Sequence, residues 1–107
     1  MPGPEIAETV VVVTEPFEGL AVDRWANLIN DAVQLRPGRL VVDLRQSPIV
    51  DAAAIAVLLQ AHRSMAQAGG SLALRAPNDR VQRILRLARL AQVFEIEDAR
   101  QTRAGTS

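Results

Sequence analysis

The sequence predicts an α/β fold: a single domain built on a small, mostly parallel sheet of four or five strands. Three observations lead to this prediction. The chain has 107 residues, the size of one ordinary domain. Short β-branched or apolar runs alternate with stretches of helical periodicity, in the order β-α-β-α-β-α-β. The helical stretches are long enough for right-handed crossovers, which join parallel strands.

The first helix lies between two predicted strands. Residues 9–14 form a β-branched run, which predicts a buried strand. From Val22 onward apolar residues recur with helical spacing, until Pro37 and Gly38 stop the helix. Residues 40–44 are apolar except for Asp43, which predicts a central strand covered on both faces.

The second helix is predicted to begin with Asp51 as its N-cap and to end at Gly69 and Gly70. Helical spacing predicts an apolar stripe along this helix, and the stripe includes the only histidine, His62. We expect His62 to be partly buried and hydrogen-bonded. The members of this stripe are Ile55, Leu58, Leu59, His62, Met65 and Ala66.

The last third of the chain predicts a strand, a helix and a short strand. Residues 71–75 show alternating apolar positions, residues 81–88 are amphipathic after a capping turn at 77–79, and residues 93–96 form the last strand. We expect residues 1–7 to be a flexible lead-in, residues 8–97 to form the folded domain, and residues 98–107 to be a frayed polar tail.

Composition removes several kinds of chemistry. The chain has no cysteine, and its 12 basic residues, all arginine, balance 12 acidic residues. The absence of cysteine excludes disulfides, iron–sulfur clusters and thiolate zinc sites, and one histidine cannot form a multi-histidine metal centre. Zero net charge argues against nucleic-acid binding. We therefore predict no catalytic residue, no metal and no cofactor.

The segments that most often direct a chain to or across a membrane are not evident in this sequence. The most apolar stretch, residues 50–59, is about half the length of a membrane span, so no membrane insertion is expected. Residues 1–5 lack the basic start of a signal peptide. The expected location is the cytoplasm.

Polar residues after the second strand form a candidate loop pocket. Asp43 and Ser47 lie at the carboxyl end of that strand, where sites in α/β proteins are usually found. An alternative without any ligand is that Asp43 makes turn hydrogen bonds and that Asp51 only caps its helix.

Four arginines recur every three residues along the third helix, opposite its apolar face. They are Arg80, Arg83, Arg86 and Arg89. Such a row is typical of a solvated helix face. The alternative is a docking surface for an acidic partner, including the acidic first third of this chain.

From residue 40 onward the chain contains the strand at 40–44, then Ile49-Val50-Asp51, the helix ending at Gly69-Gly70, and the segments 72–74, 81–88 and 93–96. The order and spacing of these segments give the chain a resemblance to the STAS domain family, which includes the bacterial anti-sigma factor antagonists. The resemblance implies a STAS-like fold over residues 8–97 and a non-enzymatic regulatory function. It also implies a protein partner such as an anti-sigma factor kinase.

The phosphorylation motif of that family is degenerate here. The usual aspartate followed by Ser-Ser-Gly or Ser/Thr-x-Gly is Asp51-Ala52-Ala53-Ala54 in this chain. Ala53 stands at the phosphorylatable position and has no hydroxyl, so the resemblance implies that the usual phosphorylation switch is absent. In addition, Asp23 falls one place late after Gly19, and Arg89 replaces a glycine near the end of the third helix.

Candidate partner-binding residues cluster at the start of the second helix. They are Asp51, Ala52, Ala53, Ala56, Val57 and Gln60. Small side chains let a partner approach closely, although outward alanines also stabilise a helix without any partner. Two other functions stay open: a STAS subunit of a lipid or anion transporter assembly, and a small nucleotide- or metabolite-binding protein. Homo-oligomer formation stays open as well.

Overall fold

The computed structural model describes residues 7–98 and contains four strands and three helices in the predicted order. The elements are β1 Glu8–Val12, α1 Ala21–Gln34, β2 Arg39–Asp43, α2 Ala52–Gln67, β3 Ser71–Arg75, α3 Asp79–Leu87 and β4 Glu95–Glu97. The predicted α/β fold class is confirmed, with four strands in the sheet.

The sheet is parallel throughout and follows chain order, β1-β2-β3-β4. Because every crossover steps in the same direction and right-handed crossovers are the rule, the three helices form one layer on one face of the sheet. The core agrees with this arrangement. Alternate residues of the two central strands join the apolar residues of the helices in one cluster, including Leu40, Val42, Leu72 and Leu74.

β1 is an edge strand, and the prediction of a buried strand at 9–14 was wrong. Val10 and Val12 are 39% and 38% exposed, whereas Val11 packs against the core. β1 pairs only with β2, and no described helix covers its second face. Its β-branched composition reflects strand propensity more than burial.

The two central strands are buried on both faces. In β2, Leu40, Val41 and Val42 are fully buried, which confirms the predicted central strand. In β3, Leu72 and Leu74 join the core cluster and Ala73 does not, as the predicted alternation requires. Ala73 is nevertheless buried just as deeply, on the other face of the sheet. Both neighbouring strands and a long side chain from β2 enclose Ala73.

That side chain is Arg39, which reaches over β3 to β4 on the face that the helices leave open. Its Nη1 donates to both carboxylate oxygens of Glu95 at 2.8 and 2.9 Å, and its Nη2 donates to Glu97 Oε2 at 2.5 Å. Its Nε donates to Glu8 Oε2 at 3.1 Å. Because β3 lies between β2 and β4, the arginine must pass over β3, where Ala73, the register partner of Glu95, has only a methyl side chain. One side chain thus ties three strands together.

β4 begins at Glu95, two residues later than predicted, and the preceding Phe94 is buried in the core. Burial alone would raise the pKa of Glu97, but hydrogen bonds from Arg75 and Arg39 outweigh burial and lower the pKa. β4 therefore depends on ion pairs as well as on its backbone ladder.

The buried stripe of α2 differs from the predicted one. It consists of Ala54, Leu58, Ala61 and Met65, so the prediction was right for Leu58 and Met65 and missed the two alanines. Ile55 and Leu59 are only partly buried, and Ala66 is exposed. The prediction gave weight to large apolar residues, whereas α2 buries two alanines because they allow close packing. His62 is half-buried against Phe94, with ring centroids 5.8 Å apart, which confirms its predicted partial burial. The predicted hydrogen bond is not found at Nδ1, which is buried without a partner among the described residues.

The third helix ends in a C-terminal cap that usually contains glycine. Arg89 adopts a left-handed backbone conformation with φ of 61°. The Leu90 N–H donates to the Leu85 carbonyl at 2.8 Å, and the Arg89 N–H donates to the Arg86 carbonyl at 2.9 Å. These two bonds define a Schellman motif, in which glycine has the lowest backbone strain. Arg36 takes the corresponding left-handed position after α1, with φ of 54°.

Candidate functional site

The start of α2 is fixed by the carboxylate of Asp51. Its Oδ1 accepts a hydrogen bond from the Ala54 N–H at 2.9 Å, which confirms the predicted N-cap. Its Oδ2 accepts from the Gly19 N–H in the β1–α1 loop, also at 2.9 Å. These bonds, first that from Gly19 and then that from Ala54, lower the pKa of Asp51. The site therefore has a fixed negative charge where the helix dipole favours one.

Hydrogen bonds connect the three loops at the carboxyl ends of the strands. The Phe17 N–H donates to the Ile49 carbonyl at 3.0 Å, and the Asp51 N–H donates to the Phe17 carbonyl at 3.2 Å. The Asn78 side chain donates from Nδ2 to the Pro48 carbonyl at 3.1 Å. The β1–α1, β2–α2 and β3–α3 loops are therefore linked in series along one edge of the domain.

Four of the predicted partner-binding residues form an exposed patch on α2, which we call the alanine surface. Its members are Ala52, Ala53, Ala56 and Gln60, and the structure exposes all four. Asp51 borders the surface at the helix N-terminus. Val57 does not share this exposure, because its side chain is partly buried against the core. The alanine surface therefore consists mainly of short side chains, with the Asp51 carboxylate at one edge.

Leu20 is a further exposed apolar residue close to the Asp51 edge of the alanine surface, and it was not among the residues predicted from the sequence. The Leu20 side chain is fully exposed, and it follows Gly19, which hydrogen-bonds to Asp51. An apolar residue in the eight-residue connection between β1 and α1 was a weak signal, since its exposure depends on how that loop packs. A large exposed leucine beside exposed alanines is the kind of anchor that a protein partner can cover.

The predicted loop-pocket residues are engaged in their own turn. Asp43 Oδ1 accepts from the Arg45 N–H at 2.9 Å. Ser47 is completely buried, and its hydroxyl donates to the Ile49 carbonyl at 3.3 Å. These hydrogen bonds account for both residues without a ligand.

A groove of about 300 Å³ lies elsewhere, between the C-terminal ends of α1 and α2. Its lining comprises Val33, Gln34, Arg36, Ser64, Gln67 and Ala68. This groove is at the opposite end of α2 from the alanine surface. Over residues 7–98 no cluster of three or more side chains could hold a metal ion, and no helix in that range has the length and apolarity to cross a membrane.

The arginines of α3 do not contact the acidic first third of the chain within the described part of the structure. α1 packs on β1, β2 and α2, whereas α3 follows β3 on the other side of α2. No ion pair joins Arg80, Arg83, Arg86 or Arg89 to a residue in the range 7–98. Any acidic partner of these arginines must come from outside this range.

A family model decides the classification, because the STAS domain model matches residues 3–102. The chain belongs to the STAS domain family. The match spans all seven secondary-structure elements of this STAS domain, which confirms the resemblance found in the sequence. No curated protein sequence matches the chain.

Solved structures share the fold of this STAS domain. A Thermotoga maritima protein assigned as an anti-sigma factor antagonist superposes with a TM-score of 0.79 at 20% identity, covering 94% of this chain and 89% of that one. The anti-sigma factor antagonist SpoIIAA in its unphosphorylated form gives 0.76 at 15% identity, covering 96% and 89%. A sulfate transporter family protein from Wolinella succinogenes gives 0.71 at 16% identity, covering 94% and 88%. At these identities the similarity establishes the fold alone.

Proposed function

We propose that this STAS domain is a non-enzymatic regulatory module of the cytoplasm that binds an anti-sigma factor through the start of α2. The observation that carries the proposal is the exposed alanine surface at the position of the degenerate family motif. Ala53 lies in the first turn of α2, and the exposed Leu20 lies in the neighbouring β1–α1 loop. The anti-sigma factor antagonists among its structural relatives support a partner of this kind.

The chemistry of the surface suits binding better than catalysis. The described side chains near it include no pair of nucleophile and base, and the Asp51 carboxylate is already engaged by two backbone N–H groups. Alanine side chains allow a partner helix to approach closely, and Leu20 offers apolar area to bury. The surface therefore offers shape and apolar contact, with one fixed charge at its edge.

The same residues imply that binding is not switched by phosphate at this position. Ala53 has no hydroxyl to accept a phosphoryl group. The nearest serine in the preceding loop, Ser47, is completely buried, so a kinase could reach it only after that loop opened. We infer that the domain can bind its partner constitutively. A family member phosphorylated at the position of Ala53 would instead gain nearly two negative charges there.

The test is to titrate the purified chain with the ATP-binding anti-sigma factors of its own organism and to measure the affinity by isothermal titration calorimetry. Ala53→Glu places a charge and a longer side chain on the alanine surface, in the first turn of α2, and we expect it to weaken binding by about tenfold or more. Ala66→Glu is the matched control, because Ala66 is exposed near the other end of α2. It should leave the affinity unchanged.

Two results would contradict the proposal. One is an anti-sigma factor that binds Ala53→Glu as tightly as the wild-type chain. The other is stoichiometric transfer of phosphate from ATP to the wild-type chain, which would show a regulatory site other than position 53. Thermal unfolding of both variants checks that any change in affinity does not come from loss of the fold.

The transporter alternative predicts a different binding partner for the same surface. A transporter subunit would co-purify with a permease or its ATPase and would show no affinity for anti-sigma factors. The nucleotide- or metabolite-binding alternative predicts heat release on titration with a common nucleotide. Neither alternative has a described ligand site in its favour, since Asp43 and Ser47 are occupied by turn hydrogen bonds.

A further inference from the structure

The outer side of α3 combines positive charge with an exposed apolar side chain. Arg80, Arg83 and Leu87 follow one another at spacings of three and four residues, so they lie along one side of the helix. Leu87 is 78% exposed. Arg86 and Arg89 continue the charge to the helix end, and all five residues are exposed. We call these five residues the arginine surface.

The charges of the arginine surface are not neutralised within the described chain. Three other arginines, Arg24, Arg39 and Arg75, form ion pairs with glutamates. No member of the arginine surface forms an ion pair with any residue from 7 to 98. Within that range, their guanidinium groups are free to meet carboxylates from another molecule.

We propose that the arginine surface binds an acidic segment of a protein partner, with carboxylates on the guanidinium groups and an apolar side chain against Leu87. Guanidinium groups present planar pairs of donors that match carboxylates. Arginine is also enriched in protein interfaces, where it is often a major contributor to affinity. Leu87, surrounded by arginines, gives the partner an apolar contact that a purely electrostatic ligand would not use.

The same surface fits nucleic acid and membranes less well. Stacking of unpaired bases needs exposed aromatic rings, and all three aromatic side chains of the chain, Phe17, Trp25 and Phe94, are buried. Stable adsorption to a lipid surface needs a broad apolar face, whereas α3 exposes one large apolar side chain among four arginines. The acidic protein segment is therefore the occupant that the observations favour.

The arginine surface is separate from the alanine surface, but the helices that carry the two surfaces begin at loops that are hydrogen-bonded to each other. Asn78, which caps α3, donates a hydrogen bond to the Pro48 carbonyl just before α2. A partner seated at the start of α2 could therefore extend an acidic segment along α3. The inference does not depend on that partner being an anti-sigma factor, so the two proposals can fail independently.

Arg89 provides a variant in which stability and binding should change in opposite directions. Its left-handed backbone is strained for a side chain with a Cβ atom, so Arg89→Gly should raise the unfolding temperature. The same change removes one charge and should weaken acidic-peptide binding several-fold. Arg36→Gly is the matched control, because Arg36 has the same left-handed conformation at the end of α1. It should stabilise the fold without changing the affinity.

The probe is a short fluorescein-labelled peptide rich in glutamate with one central leucine, titrated at low salt and read by fluorescence anisotropy. We expect Arg83→Glu with Arg86→Glu to weaken binding by about tenfold or more, and Leu87→Ala to weaken it several-fold. The Ala53→Glu variant should bind this peptide normally. That result would separate the arginine surface from the α2 site.

Three outcomes would overturn the inference. The first is no binding of the peptide to the wild-type chain at low salt. The second is equal binding by the Arg83→Glu, Arg86→Glu double variant. The third is a preference for duplex DNA or for phosphatidylglycerol vesicles over the peptide, since either would identify a polyphosphate or a lipid surface as the ligand.

Discussion

Asp51 holds two segments of backbone with one carboxylate. It caps α2 through Ala54 and at the same time fixes the β1–α1 loop through Gly19. Because the loop carries Leu20, the aspartate sets the position of that side chain relative to the alanine surface. A residue predicted as a helix cap and as a partner-binding residue is thus also the link between the two parts of the candidate site.

Substitution of Asp51 should separate these two tasks. We expect Asp51→Ala to lower the free energy of unfolding by about 1–2 kcal/mol, because it removes the cap and leaves the Gly19 N–H without its acceptor. Asp51→Asn keeps one oxygen for the cap and should lose less. Urea denaturation at neutral pH measures both values, and an unchanged midpoint for Asp51→Ala would refute the assignment.

Residue-scale prediction from the sequence worked where the cause is local. The Asp51 cap follows from the types of a few neighbouring residues, and so does the Asn78 cap of α3. The exposure of Leu20 and the burial of Val57 could not be predicted in this way. The first depends on how the β1–α1 loop packs. The second depends on how closely α2 packs, and two of the four buried residues of α2 are alanines, Ala54 and Ala61, which a hydrophobicity pattern underweights.

At the scale of elements, β4 is the strand that depends most on contacts from outside its own backbone pairing. It has three residues, and it receives Arg39 from a strand that is not its neighbour. The elements predicted from the sequence match those of the structure in kind and order, because the periodicity that identifies each one is local. The contact from β2 to β4 could not be predicted, because it requires the strand order and the small side chain of Ala73 between them.

Loss of the Arg39 contacts should loosen β4 selectively. Arg39→Met keeps much of the aliphatic volume but removes the ion pairs with Glu95 and Glu97. Exposed or partly exposed pairs contribute about 0.2–1 kcal/mol each, so we expect amide hydrogen exchange at Ile96 to become several-fold faster.

The control for this prediction is Arg45→Met, because Arg45 is exposed and makes no ion pair with residues 7–98. The Val42 amide, in the centre of the sheet, should be little affected by either change. Uniform acceleration at Val42 and Ile96 would mean that Arg39 stabilises the whole fold and not β4 in particular.

At the scale of the whole molecule, the helices lie on one side of the sheet. The sequence predicted a mostly parallel sheet of four or five strands with helical crossovers, yet it could not predict that all crossovers step in one direction. That direction leaves Val10 and Val12 half exposed on the second face, together with the glutamates and arginines of the Arg39 network. The burial assigned to β1 was wrong for this reason.

Acid should destabilise the whole domain. Hydrogen bonds from Arg24 and Trp25 lower the pKa of Glu15, and other hydrogen bonds lower the pKa values of Asp51 and Glu97. A carboxyl group with a lowered pKa contributes stability that is fully present above its unfolded pKa and is lost as pH falls through its folded pKa. The unfolding temperature should therefore be flat near neutral pH and fall below roughly pH 4.

Thermal unfolding across a pH series measures this dependence. Glu97→Gln removes one of the three groups, so its curve should fall less steeply than that of the wild-type chain on acidification. An unfolding temperature that rises as pH is lowered would show that the three carboxylates do not stabilise the folded state.

The hydrogen bonds that connect the three loops have a consequence for the thermodynamics of association. Loops that order only on binding lose conformational entropy at that moment, and this loss subtracts from affinity. Here Phe17, Asp51 and Asn78 already hold their loops in place in the free domain. A partner would therefore meet a surface whose backbone is fixed before contact, and a modest contact area could suffice for a specific complex.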